Sequence, residues 1–273
     1  MDWHPGQTAI HQIGGMNLEC RCLGPSPDAA PTIVMLHEGL GCVSMWRDFP
    51  EKVQQATGYG VFVYSRQGYG GSAACELPRP VDYLEQEAEH VLPHVLDAIG
   101  FEGGILFGHS DGGTISGLYL GGHQDHRVRG LILMAPHFFI EPENIEAITD
   151  IQKAYETDGL RERLSRHHGD NVDCAFRGWS EAWLAMGEVE WDVREAIAYI
   201  RVPVLYIQGR DDAYGSMAQA NAVVEECYSP VDVEILPNCQ HSPHLEQPDQ
   251  TLSLVTEFVE RLRRIENAVT FAA

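Results

Sequence analysis

Ile105-Leu106-Phe107-Gly108-His109-Ser110-Asp111-Gly112-Gly113 is the stretch whose reading decides the fold. The apolar run Ile105-Leu106-Phe107 reads as a buried strand. It feeds straight into Gly108-x-Ser110-x-Gly112, the pattern of a sharp strand-to-helix turn that lifts a serine above a sheet. A serine held on such a turn sits in a sparsely populated backbone conformation, and the positions two residues to either side have almost no room for a side chain. Gly108 and Gly112 meet that demand, and Gly113 lets the following helix pack closely. The turn also aims the first N–H groups of that helix at whatever Ser110 attacks. With only three fixed positions the pattern is weak by itself, so the flanking chain must supply the remaining groups.

Upstream, residues 8 to 23 alternate apolar and polar about Gly14-Gly15, which predicts an opening β-hairpin. A proline-rich segment from Pro25 to Pro31 leads to Ile33-Val34-Met35-Leu36, a continuous apolar run of the kind found in a parallel strand covered on both faces. The loop after it reads His37-Glu38-Gly39-Leu40-Gly41, with Trp46 beyond. An elbow serine needs a second N–H group there to hold developing negative charge, supplied by Gly39, or by Leu40 if the loop is offset by one residue. Val61-Phe62-Val63-Tyr64 is another buried strand, and Arg66 in the loop that follows is expected to bond loop carbonyls. Apolar residues at helical spacing predict a helix from Asp82 to Ile99, kinked at Pro93. Gly130 to Ala135 is the strand after the elbow helix, ending at Pro136-His137. Strands alternating with helices imply a mainly parallel, twisted α/β sheet with helices on both faces, whose chemistry collects at the carboxyl ends of the strands.

Residues 137 to 200 change character, with helical patterns and the tryptophans Trp179, Trp183 and Trp191. They are read as an inserted helical cap over a core formed by residues 1 to 136 and 201 to 273. Glu38, Trp46, Trp179 and Trp183 are the candidate substrate-binding residues. The sheet resumes at Val202 to Gln208 and ends in Gly209-Arg210-Asp211-Asp212. A carboxylate there can orient a histidine; the spacing favours Asp212, leaving Asp211 to cap the turn. The last strand, Val233 to Leu236, precedes Gln240-His241-Ser242-Pro243-His244. His241 is the candidate general base, with His244 as its competitor.

With Ser110, Asp212 and His241 in that chain order, each after a strand, the sequence resembles the α/β-hydrolase-fold superfamily, and within it bacterial carboxylesterase-like members. The resemblance implies an α/β-hydrolase fold and a cofactor-free, metal-free serine esterase acting on a small-molecule carboxylic ester or lactone. The oxyanion would be held by the N–H groups of Gly39 and Asp111. Two positions depart from the pattern: Glu38 stands where a glycine is common, and Gln240 stands where glycine usually precedes the last-loop histidine. Two alternatives stay open, a carbon–carbon bond hydrolase of a vinylogous diketone with the same triad, and a small-molecule receptor with little turnover.

Composition narrows the rest. A formal charge of −22, from 18 basic and 40 acidic residues, opposes binding to nucleic acid or an anionic membrane. The chain shows neither a basic-then-apolar leader nor a spanning apolar run, so a cytoplasmic enzyme is expected, with a homodimer among its candidate assemblies. Seven cysteines lacking any C-x-x-C pair predict reduced thiols. His90 with His94, and His167 with His168, are read as solvated helix-face histidines rather than metal ligands.

Overall fold

A computed structural model describes residues 1–272. Its sheet has eight strands in the order β1-β2-β4-β3-β5-β6-β7-β8. The hairpin β1 (Thr8–Ile13) and β2 (Met16–Leu23) is antiparallel, and β2 joins β4 antiparallel. The remaining strands, β3 (Thr32–Leu36), β4 (Gly60–Tyr64), β5 (Gly104–His109), β6 (Val128–Met134), β7 (Val204–Gly209) and β8 (Val231–Leu236), run parallel. Every residue of β3, β4 and β5 is buried, as their unbroken apolar runs require.

Register sets the site. Leu36 lies opposite Tyr64 on one side and Gly108 on the other, so the loops after β3, β4 and β5 leave the sheet at one level. Met134 opposite Ile207, and Gly209 opposite Leu236, bring the loops after β6, β7 and β8 to the same edge. Side chains alternate between two cores. Val34, Leu36 and Leu106 face one side; Ile33, Met35, Ile105 and Phe107 face the other. Truncating one such residue to alanine, Leu106 for example, would cost about 2–5 kcal/mol in lost transfer energy and cavity formation.

The second face is covered by α1 (Phe49–Thr57) and by α10 (Pro248–Ala272), whose Val255, Phe258, Val259 and Leu262 recur at helical spacing. The first face carries α2 (Tyr83–Gln86), α3 (Leu92–Ala98) and α4 (Asp111–Gly122). The kink expected at Pro93 is taken up as a π-helical turn over Glu87–Val91, where the N–H of Leu92 reaches back to the carbonyl of Glu87. Proline has no N–H to offer the preceding turn, and the wider winding accommodates it.

Between β6 and β7 stand α5 (Pro142–Thr157), α6 (Leu160–His168) and α7 (Val172–Glu188). The chain enters and leaves this insertion through a neck, where Phe139 bridges Asp192 antiparallel and the N–H groups of Ile140 and Val193 bond the carbonyls of Trp191 and Phe138. α5 begins in a capping box between Glu141 and Asn144, with Pro142 in its first turn. The Glu141 carboxylate also accepts bonds from Ser216 and Gln219, rooting the insertion in the core. The 3₁₀ turn Arg194–Tyr199 packs beside α4 and belongs with the core. The order is completed by α8 (Met217–Glu226) and α9 (Pro243–Glu246). No helix among the described residues is long and apolar enough to cross a membrane.

Candidate active site

Ser110 sits between β5 and α4 with φ 51° and ψ −115°, a strained conformation for a residue with a Cβ, costing about 1–3 kcal/mol. Its N–H bonds the carbonyl of Met134 at 2.8 Å, and its own carbonyl accepts the N–H of Thr114 at 3.0 Å, starting the helix. The flanking glycines are demanded by space. A Cβ on Gly108 would lie 2.1 Å from the carbonyl oxygen of Gly112, and one on Gly112 would lie 2.1 Å from that of Leu36. Neither position accepts even alanine without moving backbone.

The structure brings Asp212 and His241 together. Nδ1 of His241 lies 2.9 and 2.8 Å from the two carboxylate oxygens of Asp212. Asp212 Oδ1 also takes the N–H of Tyr214 at 2.9 Å, so Asp212 itself caps the turn, while Asp211 is exposed. Burial alone would depress His241, but the Asp212 carboxylate outweighs it and holds the imidazole above its ordinary value. Burial would likewise raise Asp212, yet the charge and hydrogen bond of His241 leave it below the usual carboxylate range. With Nδ1–H committed to Asp212, the neutral ring carries its lone pair on Nε2.

Ser110 and His241 line one cavity of about 280 Å³, together with Glu38, Gly39, Trp179 and Trp183. A larger groove of about 920 Å³ lies on the insertion between α5, α6 and α7, but it holds none of these residues. Trp179 packs directly on Gly39, where a Cβ would meet its indole nitrogen at 2.1 Å. Trp183 donates its N–H to Asp111 Oδ1 at 3.1 Å.

Trp46, expected among the substrate-binding residues, is 1% exposed and lies in the core on the other face of the sheet. It packs against Phe107, His109 and His244, because the 3₁₀ turn Val43–Trp46 carries it down beside α1. His244 is sealed in the same place, and burial pushes it down to about 3. Of the two candidate bases, His241 and not His244 therefore lines the cavity.

Two residues act behind the site. Nε2–H of His109 donates to the carbonyl of His241 at 2.7 Å, and its Nδ1 lies 3.4 Å from Glu38. Burial would raise Glu38, but the contact with His109 outweighs it and keeps the carboxylate ionised. Arg66, fully buried, bonds the carbonyls of His37 and Glu38, as a loop-bonding role requires. Its guanidinium also reaches Asp111 Oδ2 at 3.2 Å, and the Tyr83 hydroxyl donates to the same oxygen at 2.5 Å.

Sequence reasoning assigned no function to His137, which follows β6. Its Nε2–H bonds the carbonyl of Tyr214 at 3.0 Å, its ring stands 5.7 Å from that of His241, and burial followed by the charge of His241 lowers it to about 4. Its place at a strand's carboxyl end was the available signal. His168, read as a solvated helix-face residue, is 2% exposed and bridges the Gly70 N–H and the Leu40 carbonyl. Among the described residues no group of three or more His, Cys, Asp or Glu side chains is arranged to hold a metal ion.

Known proteins share this arrangement of the chain. Over 121 residues it is 29% identical to a proline iminopeptidase of Lactobacillus delbrueckii subsp. bulgaricus, spanning 44% of this chain and 41% of that relative. It is 25% identical over 281 residues to 3-oxoadipate enol-lactonase 1 of Acinetobacter baylyi, spanning 94% of this chain and 100% of the relative. A thermophilic esterase from Thermogutta terrifontis shares the fold at a TM-score of 0.71 and 18% identity, covering 94% of this chain and 99% of that one. The sequence profile of the Alpha/beta hydrolase family matches residues 33–254, and the chain belongs to that family.

Proposed function

We propose that this hydrolase cleaves a carboxylic ester or lactone of a small molecule through an acyl-enzyme on Ser110. The observation that carries the reading is a serine at φ 51° on an elbow, sharing a cavity with a histidine whose other nitrogen is held by a buried carboxylate. Nε2 of His241 takes the proton of Ser110 as Oγ attacks the ester carbonyl, and Asp212 stabilises the imidazolium that forms. The N–H groups of Gly39 and Asp111 then hold the oxyanion; that of Asp111, in the first turn of α4, has no partner within the helix. Collapse expels the alcohol with the proton from His241, and water completes the cycle by the same steps.

Arg66 has a part in this reading. A carboxylate directly behind an oxyanion donor opposes developing negative charge, and the Arg66 guanidinium neutralises it. The cavity is lined by the carboxylates of Glu38 and Glu246 and by no lysine or arginine, which supports a neutral or cationic substrate.

The test is hydrolysis of short-chain to medium-chain p-nitrophenyl esters by wild type and Ser110→Ala, each also treated with a fluorophosphonate label. Turnover and a single label in wild type, both lost in the variant, support the reading. Labelling without ester turnover would reject the substrate class and favour carbon–carbon cleavage or a receptor role.

A further inference from the structure

We propose that Cys75 and Cys174 form a thiol–disulfide modification site that fastens the helical insertion to the core beside the cavity. The two residues are 99 positions apart in sequence, and their sulfur atoms lie 2.7 Å from each other. Around them the backbone is arranged for the pair: the N–H of Cys75 points at Cys174 Sγ at 3.4 Å, and that thiol lies 3.5 Å from the Cys75 carbonyl. Gly68 leaves the recess they occupy, since a Cβ there would come within 2.7 and 2.9 Å of the two sulfurs. The Arg79 guanidinium shares that recess and partly offsets the burial that holds Cys75 in its thiol form.

Access separates this pair from four of the other thiols, and Cys227, half-buried as well, stands apart from it at the end of α8. Cys75 and Cys174 are both half-buried, whereas Cys20, Cys22, Cys42 and Cys239 are buried in the fold. Burial pushes Cys75 up to about 11 despite Arg79, so oxidation speeds up as the pH rises. A low-molecular-weight disulfide supplies the oxidant. The Cys75 thiolate attacks one of its sulfurs and expels the first thiolate; Cys174 then attacks the Cys75 sulfur and expels the second. The protein loses two protons and two electrons, and the external disulfide takes them up to become two thiols.

The location gives the bond its effect. Cys174 is in the first turn of α7, the helix whose Trp179 and Trp183 line the cavity. Cys75 is on the loop after β4, which also carries Arg66, the partner of Asp111. In the reduced protein this edge is held by hydrogen bonds, from Gly70 to His168 and from Asn171 to the carbonyls of Gly70 and Ser72. A disulfide adds a covalent tie that is independent of the neck. Any effect on turnover rests on the esterase reading; the bond and the fastening do not.

The experiment therefore reads both without a substrate. Reduced full-length protein is incubated with oxidised glutathione, quenched with N-ethylmaleimide, digested without reductant and analysed by mass spectrometry. The expected product is a peptide pair joined through Cys75 and Cys174, absent in Cys75→Ser and in Cys174→Ser. Deuterium exchange across 172–188 is expected to slow severalfold on oxidation, to recover with dithiothreitol, and to ignore oxidant in a Cys75→Ala/Cys174→Ala variant that retains the wild-type circular dichroism. Recovery of both cysteines alkylated or singly glutathionylated overturns the site. Formation of the bond with unchanged exchange in α7 overturns the fastening.

Discussion

His109 holds His241 by its backbone: the ring Nε2–H of the residue before the elbow serine bonds the carbonyl of the histidine that shares a cavity with that serine, at 2.7 Å. One end of the elbow thus fixes the loop that carries His241. A loop displaced by about 1 Å can lower a rate by roughly 10²-fold. His109→Ala is expected to lower kcat by about 10- to 100-fold with little change in KM, and His109→Gln, whose amide can reach the same carbonyl, to recover part of the loss. Steady-state kinetics on a p-nitrophenyl ester decides this; a change confined to KM would contradict a positioning role.

Asp212→Asn leaves shape and volume nearly unchanged while removing the charge that selects the Nδ1–H tautomer of His241. By analogy with other triads kcat should fall by about 10⁴-fold, with thermal stability close to that of wild type. Retention of more than a tenth of the activity would show that another group orients His241.

The same pair sets the pH response. In the proposed reaction only neutral His241 can accept the Ser110 proton, and Asp212 outweighs burial to raise the histidine above its ordinary value of 6.5. The acid limb of kcat/KM should accordingly lie above pH 6.5, activity being lost as pH falls through it. For folding the sign is opposite: the raised value contributes stability below pH 6.5, and that contribution is lost as pH rises through the folded-state value. A pH–rate profile with its acid limb below 6.5 would contradict the assignment.

Arg66→Leu removes the positive partner of a carboxylate that is 1% exposed. The uncompensated charge on Asp111 should destabilise the fold by about 3–5 kcal/mol. Equilibrium urea unfolding measures it, and a loss below about 1 kcal/mol would mean that Tyr83 and Trp183 satisfy Asp111 unaided.

Glu38→Gln removes a fixed negative charge from the cavity wall without emptying space. Carboxylate-bearing esters should gain about tenfold in kcat/KM relative to neutral esters of the same length. Parallel assays of a matched pair test this, and an unchanged ratio would place the carboxylate's influence on His109 alone.

Much of this organisation can be read along the chain because its causes are local. An unbroken apolar run such as Ile33 to Leu36 can only be a strand covered on both faces, and Gly108 and Gly112 mark where backbones approach too closely for any side chain. Asp212 and His241 were placed by their distance from a strand end. What escaped depends on contacts between distant segments. Trp46 has the residue type of a pocket wall, but packing against Phe107 and His244 draws it into the core. His168 has the flanking sequence of an exposed helix end, yet it joins two core loops nearly a hundred or more positions away. The neighbours of Cys75 and Arg66 are likewise set by tertiary packing, which no periodicity records.

The neck at Phe139 and Asp192 gives the insertion a single point of entry and exit along the chain. Both ends of the helical segment return to one bridge, so a segment of different length or composition can be spliced between Ile140 and Trp191 without altering the register of β6 and β7. The loops bearing Ser110, Asp212 and His241 lie outside the splice. A change within the insertion therefore leaves the chain positions of those three loops unchanged.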